Sequence, residues 1–251
     1  MEHIEGRESV LAALGAFQRR FEVILVRHGI HQEKIQPILD LAAQRNVPVR
    51  AVDSGQLNDL AHGSTHGGVL AICSAKPRTT PEQLFEILRQ LGRPALLLLL
   101  EGVDDARNLG FTLRTAEALG VDAVLIKRHL WDFDPVEVAR PASGAYERLP
   151  LVQVDDVSVI QELQRMGLRL FGCVAGVKRM MYDVDLSAGA ILAIGGEKRG
   201  LSGAVRSICD QLITIPTVGG VSSLSLTHAA AIVLGEAFRQ RRFSAINRCA
   251  G

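Results

Sequence analysis

The chain has 251 residues, 47% of them apolar, enough to bury one large core or two smaller ones. Its 28 Lys and Arg against 27 Asp and Glu leave a formal charge of +1, so bulk charge does not draw it to nucleic acid and any RNA contact depends on a local patch. Aromatic residues make up 4%, which argues against a groove that reads single-stranded bases by stacking.

Taken in chain order, the first third alternates its patterns. A helical stretch follows Gly6, then a strand at Phe21–Val26, a helix over Glu33–Ala43, a strand at Val47–Val52, a short helix over Gln56–Ala61 and a strand at Gly68–Cys73. That is an α/β unit of about the smallest size that folds alone. K-P-R-T-T-P-E-Q (Lys76–Gln83), with two prolines and little apolar content, reads as a linker. Beyond it, strands are expected at Ala95–Leu100, Ala123–Ile126, Leu168–Val174, Ala190–Ile194 and Gln211–Ile215, with helices between most of them. The alternation implies crossover connections and a parallel sheet covered on both faces. The last helical stretch, Leu224–Arg242, begins apolar and ends in R-Q-R-R.

Cys73, Cys173, Cys209 and Cys249 are widely spaced and form no C-x-x-C pair, so inert thiols in a reducing cytoplasm are expected, without structural zinc or disulfides. The start, M-E-H-I-E-G-R-E, lacks the basic and apolar regions of a signal peptide, and Ala95–Leu100 is far too short to cross a bilayer. A soluble cytoplasmic protein is expected.

Three segments carry chemistry. Each joins the end of an apolar run to a glycine-bearing turn and then a helical pattern, the layout of a ligand site at the carboxyl edge of a parallel sheet. In I-G-G-E-K-R-G-L (Ile194–Leu201), Gly195 and Gly196 let backbone approach a ligand closely. There is no G-K-[ST] for a phosphate loop and no G-x-G-x-x-G after a strand. Glu197 beside that turn can orient a hydroxyl or balance a cation. In N-L-G-F-T-L-R (Asn108–Arg114), Asn108 reads as the N-cap of a helix starting near Gly110, with Arg114 one turn on, placed to meet a phosphate. In I-P-T-V-G-G-V-S-S-L-S-L (Ile215–Leu226), a Gly219-Gly220 turn leads to a Ser222-Ser223 cap. No G-x-S-x-G elbow supports a hydrolase triad with His228. Taken one at a time these are a glycine turn, two capped helices, a surface arginine and a core histidine. Together they point to a nucleotide-like cofactor and a polar substrate.

In this order and spacing the segments resemble the SpoU (TrmH-like) branch of the SPOUT RNA methyltransferases. That family carries N-x-G-x-x-x-R, then G-x-E-x-x-G, then I-P-x-x-G-x-x-x-S-L-N before its last helix. Here the matches are Asn108, Gly110 and Arg114; Gly195, Glu197 and Gly200; and Ile215, Pro216, Gly219, Ser223 and Leu224. A-S-G-A-Y-E (Ala142–Glu147) resembles the small-residue segment that family members place before a short strand. G-R-E-S-V-L-A-A-L (Gly6–Leu14) and T-H-G-G-V-L-A (Thr65–Ala71) look like the two ends of the substrate-binding domain of ribosomal members, the closest being 23S rRNA guanosine-2′-O-methyltransferases.

The resemblance implies an α/β fold throughout: a small L30e-like RNA-binding domain at residues 1–76, a linker and entry at 77–93, and a SPOUT domain at 94–251 with a parallel sheet and a deep trefoil knot. It further implies a homodimer through the knotted domain, no metal, no membrane, and S-adenosyl-L-methionine held by Gly195, Gly196, Ile215, Pro216, Gly219 and Leu224. The implied reaction moves a methyl group to a ribose 2′-hydroxyl, with rRNA favoured over tRNA. Asn108, Arg114, Glu197, Ser223 and Ser225 form the implied catalytic set. A guanidinium is a poor base, so Arg114 is read as a phosphate anchor and a stabiliser of the developing alkoxide. Glu197 and Asn108 would hold Arg114 and the ribose, with Ser223 near the reacting oxygen. RNA contacts are expected from Arg19, Arg20, Arg107, Arg114, Arg199 and Arg239–Arg242.

The chain departs from the family at three places. S-L-N becomes Ser223-Leu224-Ser225, the following V-S-V-A becomes Leu226-Thr227-His228-Ala229, and the proline common before the first motif is Ala106. A serine lacks the amide's second polar group and its reach. Alternatives are therefore a tRNA 2′-O-methyltransferase, a catalytically weak RNA-binding or ribosome-assembly protein of the same fold, and an enzyme that methylates a base nitrogen.

Overall fold

In the computed structural model, which describes residues 1–62, 66–220 and 223–243, the first strand lies where the sequence gives little sign of one. β1 (Glu2–Glu5) is polar, four residues long and at a sheet edge. Gly6, at φ +90°, turns the chain into α1 (Arg7–Ala16). There follow β2 (Phe21–Arg27), α2 (Gln36–Gln44), β3 (Val49–Val52), α3 (Ser54–Leu60) and β4 (Val69–Cys73). The sheet order is β1-β4-β2-β3, with β4 antiparallel to both neighbours and β3 parallel to β2. Val10, Leu14, Ile24 and Ile38 fill one side of this sheet, and Val23, Leu25, Leu57 and Leu70 the other. Thr65 of the T-H-G-G segment lies outside the described residues.

Much of the expected linker is ordered structure. Lys76 is buried, Thr79 makes a bridge with Val152, and Thr80 opens α4 (Pro81–Gln90) with a capping box in which its hydroxyl accepts from Gln83 N and its own N–H donates to Gln83 Oε1. The second sheet then begins with β5 (Leu96–Leu100), whose five leucines are all buried, as a strand covered on both faces requires. α5 (Ala106–Ala118) starts before the expected position. Asp105 is its cap, accepting from Arg107 N at 2.8 Å and Asn108 N at 3.0 Å, so Asn108 sits inside the first turn and is not the N-cap. Asp caps as well as Asn, and Ala and Arg favour helix, so the helix runs back to the earlier cap.

After β6 (Ala123–Ile126) the chain leaves this sheet. Phe133–Arg148 belongs to the same compact unit as Met1–Pro77, contributing α6 (Pro135–Ala142) and α7 (Ala145–Arg148). Ser143 (φ +51°) and Gly144 (φ +88°) separate the two helices, and a Cβ on Gly144 would press on that of Ala12 at 2.8 Å. Arg19 and Glu147, each side chain 1% exposed, form a two-point ion pair at 2.8 and 2.9 Å. Glu5, also buried, receives Arg140 Nη2 at 2.7 Å and the His62 backbone N–H at 2.6 Å.

The second unit holds Arg78–Asp132 and the chain from Leu149 onward. It continues with β7 (Leu151–Gln153), a three-residue strand absent from the expected set, then α8 (Ser158–Arg165), β8 (Arg169–Cys173), β9 (Ala190–Ile194), α9 (Gly203–Ile208), β10 (Gln211–Ile213) and α10 (Leu226–Phe243). All six strands are parallel, in the order β10-β8-β9-β5-β6-β7. α10 packs against α5. Arg241 ties its far end to the carbonyls of Pro94, Ala95, Leu186 and Ala188. Among the described residues no helix is long and apolar enough to cross a membrane.

Candidate functional site

Strands β8, β9 and β10 all end at one edge of the parallel sheet, where a ligand meets chain turns and not side-chain ladders. A cavity of about 330 Å³ lies there, within the range of about 300–1,000 Å³ usual for small-molecule sites. Its walls are the residues after β8 (Cys173–Gly176), the turn after β9 (Gly195–Leu201), the exit of β10 (Thr214, Ile215 and Thr217) and the entry to α10 (Ser223, Leu224 and Leu226). Ile194, Leu201, Ile215, Leu224 and Leu226 make it largely apolar, while Glu197, Arg199 and Arg206 supply charge.

The turn after β9 is built by close approach. A Cβ at Gly195 would overlap the Gly200–Leu201 peptide, and one at Gly196 would overlap the Gly102 carbonyl. Gly200 N donates to Gly196 O at 2.8 Å, closing the turn, and Gly200 adopts φ +62°. Gly102, at φ +69°, faces Gly196, so the loop leaving β5 and the turn after β9 abut through glycine backbone. Lys198 and Asp104 bridge the same two loops at 3.2 Å.

Two carboxylates fix this edge. Glu101, 6% exposed, accepts from Ser202 N at 2.9 Å and Ser202 Oγ at 3.1 Å, and lies 3.4 Å from Lys127 Nζ. Ser202 in turn caps α9 by accepting from Val205 N. Glu197 accepts from Leu226 N, the first residue of α10, at 3.4 Å, placing a negative charge at that helix N-terminus. The turn after β9 and the start of α10 are thereby joined across the cavity.

Of the residues singled out in the sequence, Gly195, Gly196, Glu197, Ile215, Ser223 and Leu224 come together on the cavity wall. Pro216 and Gly219 are exposed and do not line it, and no heavy atom lies within 4 Å of a Cβ built on Gly219. Asn108 and Arg114 lie on α5, off the cavity wall, with Arg114 exposed. Ser225 is also off the wall, hydrogen-bonded through Oγ to His228 Nδ1 at 2.6 Å. α10 starts at Leu226, later than expected, and Ser222 of the expected cap lies outside the described residues.

Several expected RNA contacts are otherwise engaged. Arg19 is 2% exposed and committed to Glu147 and Glu2, Arg239 pairs with Glu236, and Arg241 is spent on backbone carbonyls. Arg20, Arg107, Arg114, Arg199 and Arg242 are exposed.

Sequence reasoning missed Glu101, Gly102 and the Cys173–Gly176 wall. Glu101 carried a readable signal: Leu100 pairs with Ile126, so the next residues on these parallel strands, Glu101 and Lys127, emerge side by side with opposite charge. Burial pushes the Cys173 thiol up to about 12, aided by Cys209, so the cavity wall presents a neutral thiol.

The model of the SpoU rRNA methylase family matches residues 95–235, and that of the RNA 2′-O ribose methyltransferase substrate-binding domain matches residues 3–79. The 23S rRNA (guanosine-2′-O-)-methyltransferase RlmB of Pseudomonas aeruginosa is 34% identical over 96% of this chain and 97% of its own. The SpoU methyltransferase AviRb of Streptomyces viridochromogenes has a crystal structure that superposes with a TM-score of 0.78 at 26% identity, covering 96% of this chain and 89% of that one. The same protein in complex with the cofactor AdoMet superposes with a TM-score of 0.78 at 24% identity over 95% and 89% of the two chains, a likeness of fold. With both family models matched, a relative aligned over nearly its whole length and the glycine turn formed at the expected edge, the chain belongs to the SpoU rRNA methylase family.

Proposed function

We propose that this chain transfers a methyl group from S-adenosylmethionine to the ribose 2′-hydroxyl of a guanosine in 23S rRNA. The observation that carries the reading is the cavity at the carboxyl ends of β8, β9 and β10, walled by the Gly195–Leu201 turn and the start of α10. The residues present suit such a cofactor. The volume is that of a small-molecule site, the aliphatic walls match an adenine ring and a methionine chain, and the glycines at 195 and 196 leave backbone where any side chain would intrude. When bound, S-adenosylmethionine supplies an electrophilic methyl group.

Gly195, Gly196, Ile215 and Leu224 hold the cofactor, with Arg199 and Arg206 available for its carboxylate. Arg114, exposed on α5, anchors the RNA phosphate and offsets negative charge as it develops on the attacking oxygen. Asn108 lies within two turns of Arg114 on the same helix and orients the ribose. Glu197 fixes the α10 entry next to Ser223, which lines the cavity and would hydrogen-bond near the reacting oxygen.

The first unit binds the rRNA, as its match to the RNA 2′-O ribose methyltransferase substrate-binding domain supports. A deep trefoil knot and a homodimer belong to the same reading. The strand order supports the first, since β9 inserts between β5 and β8. Phe111 (47% exposed) and Ile232 (37%) on the paired helices α5 and α10 support the second.

The test is transfer of labelled methyl to unmodified 23S rRNA and to tRNA, followed by digestion to nucleosides. Label in 2′-O-methylguanosine of rRNA, reduced about 100-fold or more by Arg114→Ala, is the expected result. Absence of transfer to any RNA despite tight RNA binding would replace the enzyme with a binding protein of the same fold.

A further inference from the structure

One wall of the cavity is the segment entering α10, and one side-chain pair braces it. Ala229 N donates to Ser225 O at 2.9 Å, the first bond of the helix, which makes Ser225 the N-cap and His228 the N3 residue. Ser225 Oγ and His228 Nδ1 are 2.6 Å apart. Neither residue lines the cavity, but their neighbours Ser223, Leu224, Leu226 and Ala229 do. The segment is thus gripped from two sides, by Glu197 on Leu226 N and by His228 on the cap. The contact joins two side chains, so it holds the cap residue without occupying a backbone N–H of the first turn.

The two partners are also two of the positions where the chain departs from its family's motif: Ser225 stands for the asparagine of S-L-N and His228 for the second valine of V-S-V-A. A serine hydroxyl is short and free to rotate, and an imidazole on the next turn fixes it. We infer that His228 is a positioning residue which acts through Ser225 to hold residues 223–226 as the wall of the cofactor cavity. The inference rests on that cavity being the S-adenosylmethionine site.

The test uses the full chain as wild type, Ser225→Ala, His228→Ala, the double alanine variant, Ser225→Asn, and Ser225→Asn with His228→Ala. Amide hydrogen exchange without cofactor is read at residues 223–229, and S-adenosylmethionine affinity by calorimetry. Each single alanine should speed exchange and weaken affinity by about three- to tenfold, the span of one hydrogen bond. The double variant should be no worse than either single, and His228→Ala should lose its effect when residue 225 is asparagine. The thermal midpoint should move little, which a general packing defect would not allow. Additive single effects, or unchanged exchange in His228→Ala, overturn the inference. If wild type binds no S-adenosylmethionine, the functional reading fails, while the exchange data still decide whether the pair braces the segment.

Discussion

The two glycine pairs of the site separate steric need from mere turn preference, and alanine substitution tests the difference. At Gly195 an added Cβ overlaps the Gly200–Leu201 peptide, and at Gly196 the Gly102 carbonyl. Neither glycine has a left-handed φ, so the penalty is space and not backbone conformation. Restoring an ordinary contact requires backbone to withdraw by roughly 1.4 Å, and overpacking of this kind costs about 1–3 kcal/mol. The midpoint of thermal unfolding should then fall by about 2–10 °C. Because the displaced atoms are the cavity wall, a similar energy lost from the bound state weakens S-adenosylmethionine binding by about 5- to 150-fold. Gly219 is the control, with no left-handed φ and no heavy atom within 4 Å of its Cβ position. Gly219→Ala should hold both affinity and midpoint, within about twofold and about 1 °C. Calorimetric titration alongside thermal scans reads both quantities. Cofactor affinity and midpoint unchanged in Gly195→Ala, or equal damage from Gly219→Ala, would refute the assignment of the turn as the closely packed wall.

Three further outcomes are expected. Glu147→Ala removes both hydrogen bonds between Glu147 and the buried Arg19 guanidinium and leaves it Glu2 as its carboxylate partner, so chemical unfolding should show a loss of about 1–3 kcal/mol, with Arg20→Ala nearly silent in the same assay. Stability should also depend on pH through Glu5 and His62. For Glu5, burial raises the pKa, but hydrogen bonds from His62 and Arg140 outweigh it, and the net shift is downward. Its contribution is present above the ordinary value of 4.5 and is lost as pH falls through the lowered one. His62 is raised, chiefly by its bond to Glu5, so its contribution is complete below the ordinary 6.5 and is lost as pH rises through the raised value. The deficit of His62→Gln in urea unfolding should therefore be greatest between these two ordinary values and shrink as pH rises through the raised one; a deficit that does not change with pH rules out the linkage. Finally, burial lifts Cys73 and Cys209 to about 11 and Cys173 to about 12, so peptide mapping after alkylation at about pH 7.5 should find all three at least about 100-fold slower than a free thiol.

The strands of the second sheet were legible because a buried parallel strand has a plain signature, a short run of apolar residues ended by a turn, and Leu96–Leu100 shows it without interruption. β1 and β7 lacked it. Four residues with two glutamates, and three residues after a proline, acquire strand character only from the partner they pair with. The site glycines were legible as a group, yet the sequence could not rank them. Gly195 and Gly219 look alike in one dimension, and only the proximity of Gly200 makes one sterically required and leaves the other open. The same holds for the arginines: Arg19 and Arg20 are neighbours of identical chemistry, and the fold buries one on Glu147 while leaving the other in solvent.

The segment Phe133–Arg148 shows why a boundary drawn from composition is incomplete. The Lys76–Gln83 stretch marks one passage between units, but the chain crosses again after Asp132 and after Arg148, where no run of prolines or glycines announces it. Val136, Val138, Ala142 and Tyr146 on α6 and α7 are buried, the two helices pack on α1 and β1, and the ion pairs place Arg140 on Glu5 and Glu147 on Arg19. Every one of those partners is more than a hundred residues away in sequence. Helical periodicity reports that a face is apolar and a charge reports that it wants a counterion, but neither says which partner answers. The first unit thus completes its helix packing and charge pairing with residues that follow Ile126, the end of β6, so its folding depends on chain that also leads into and out of the methyltransferase sheet.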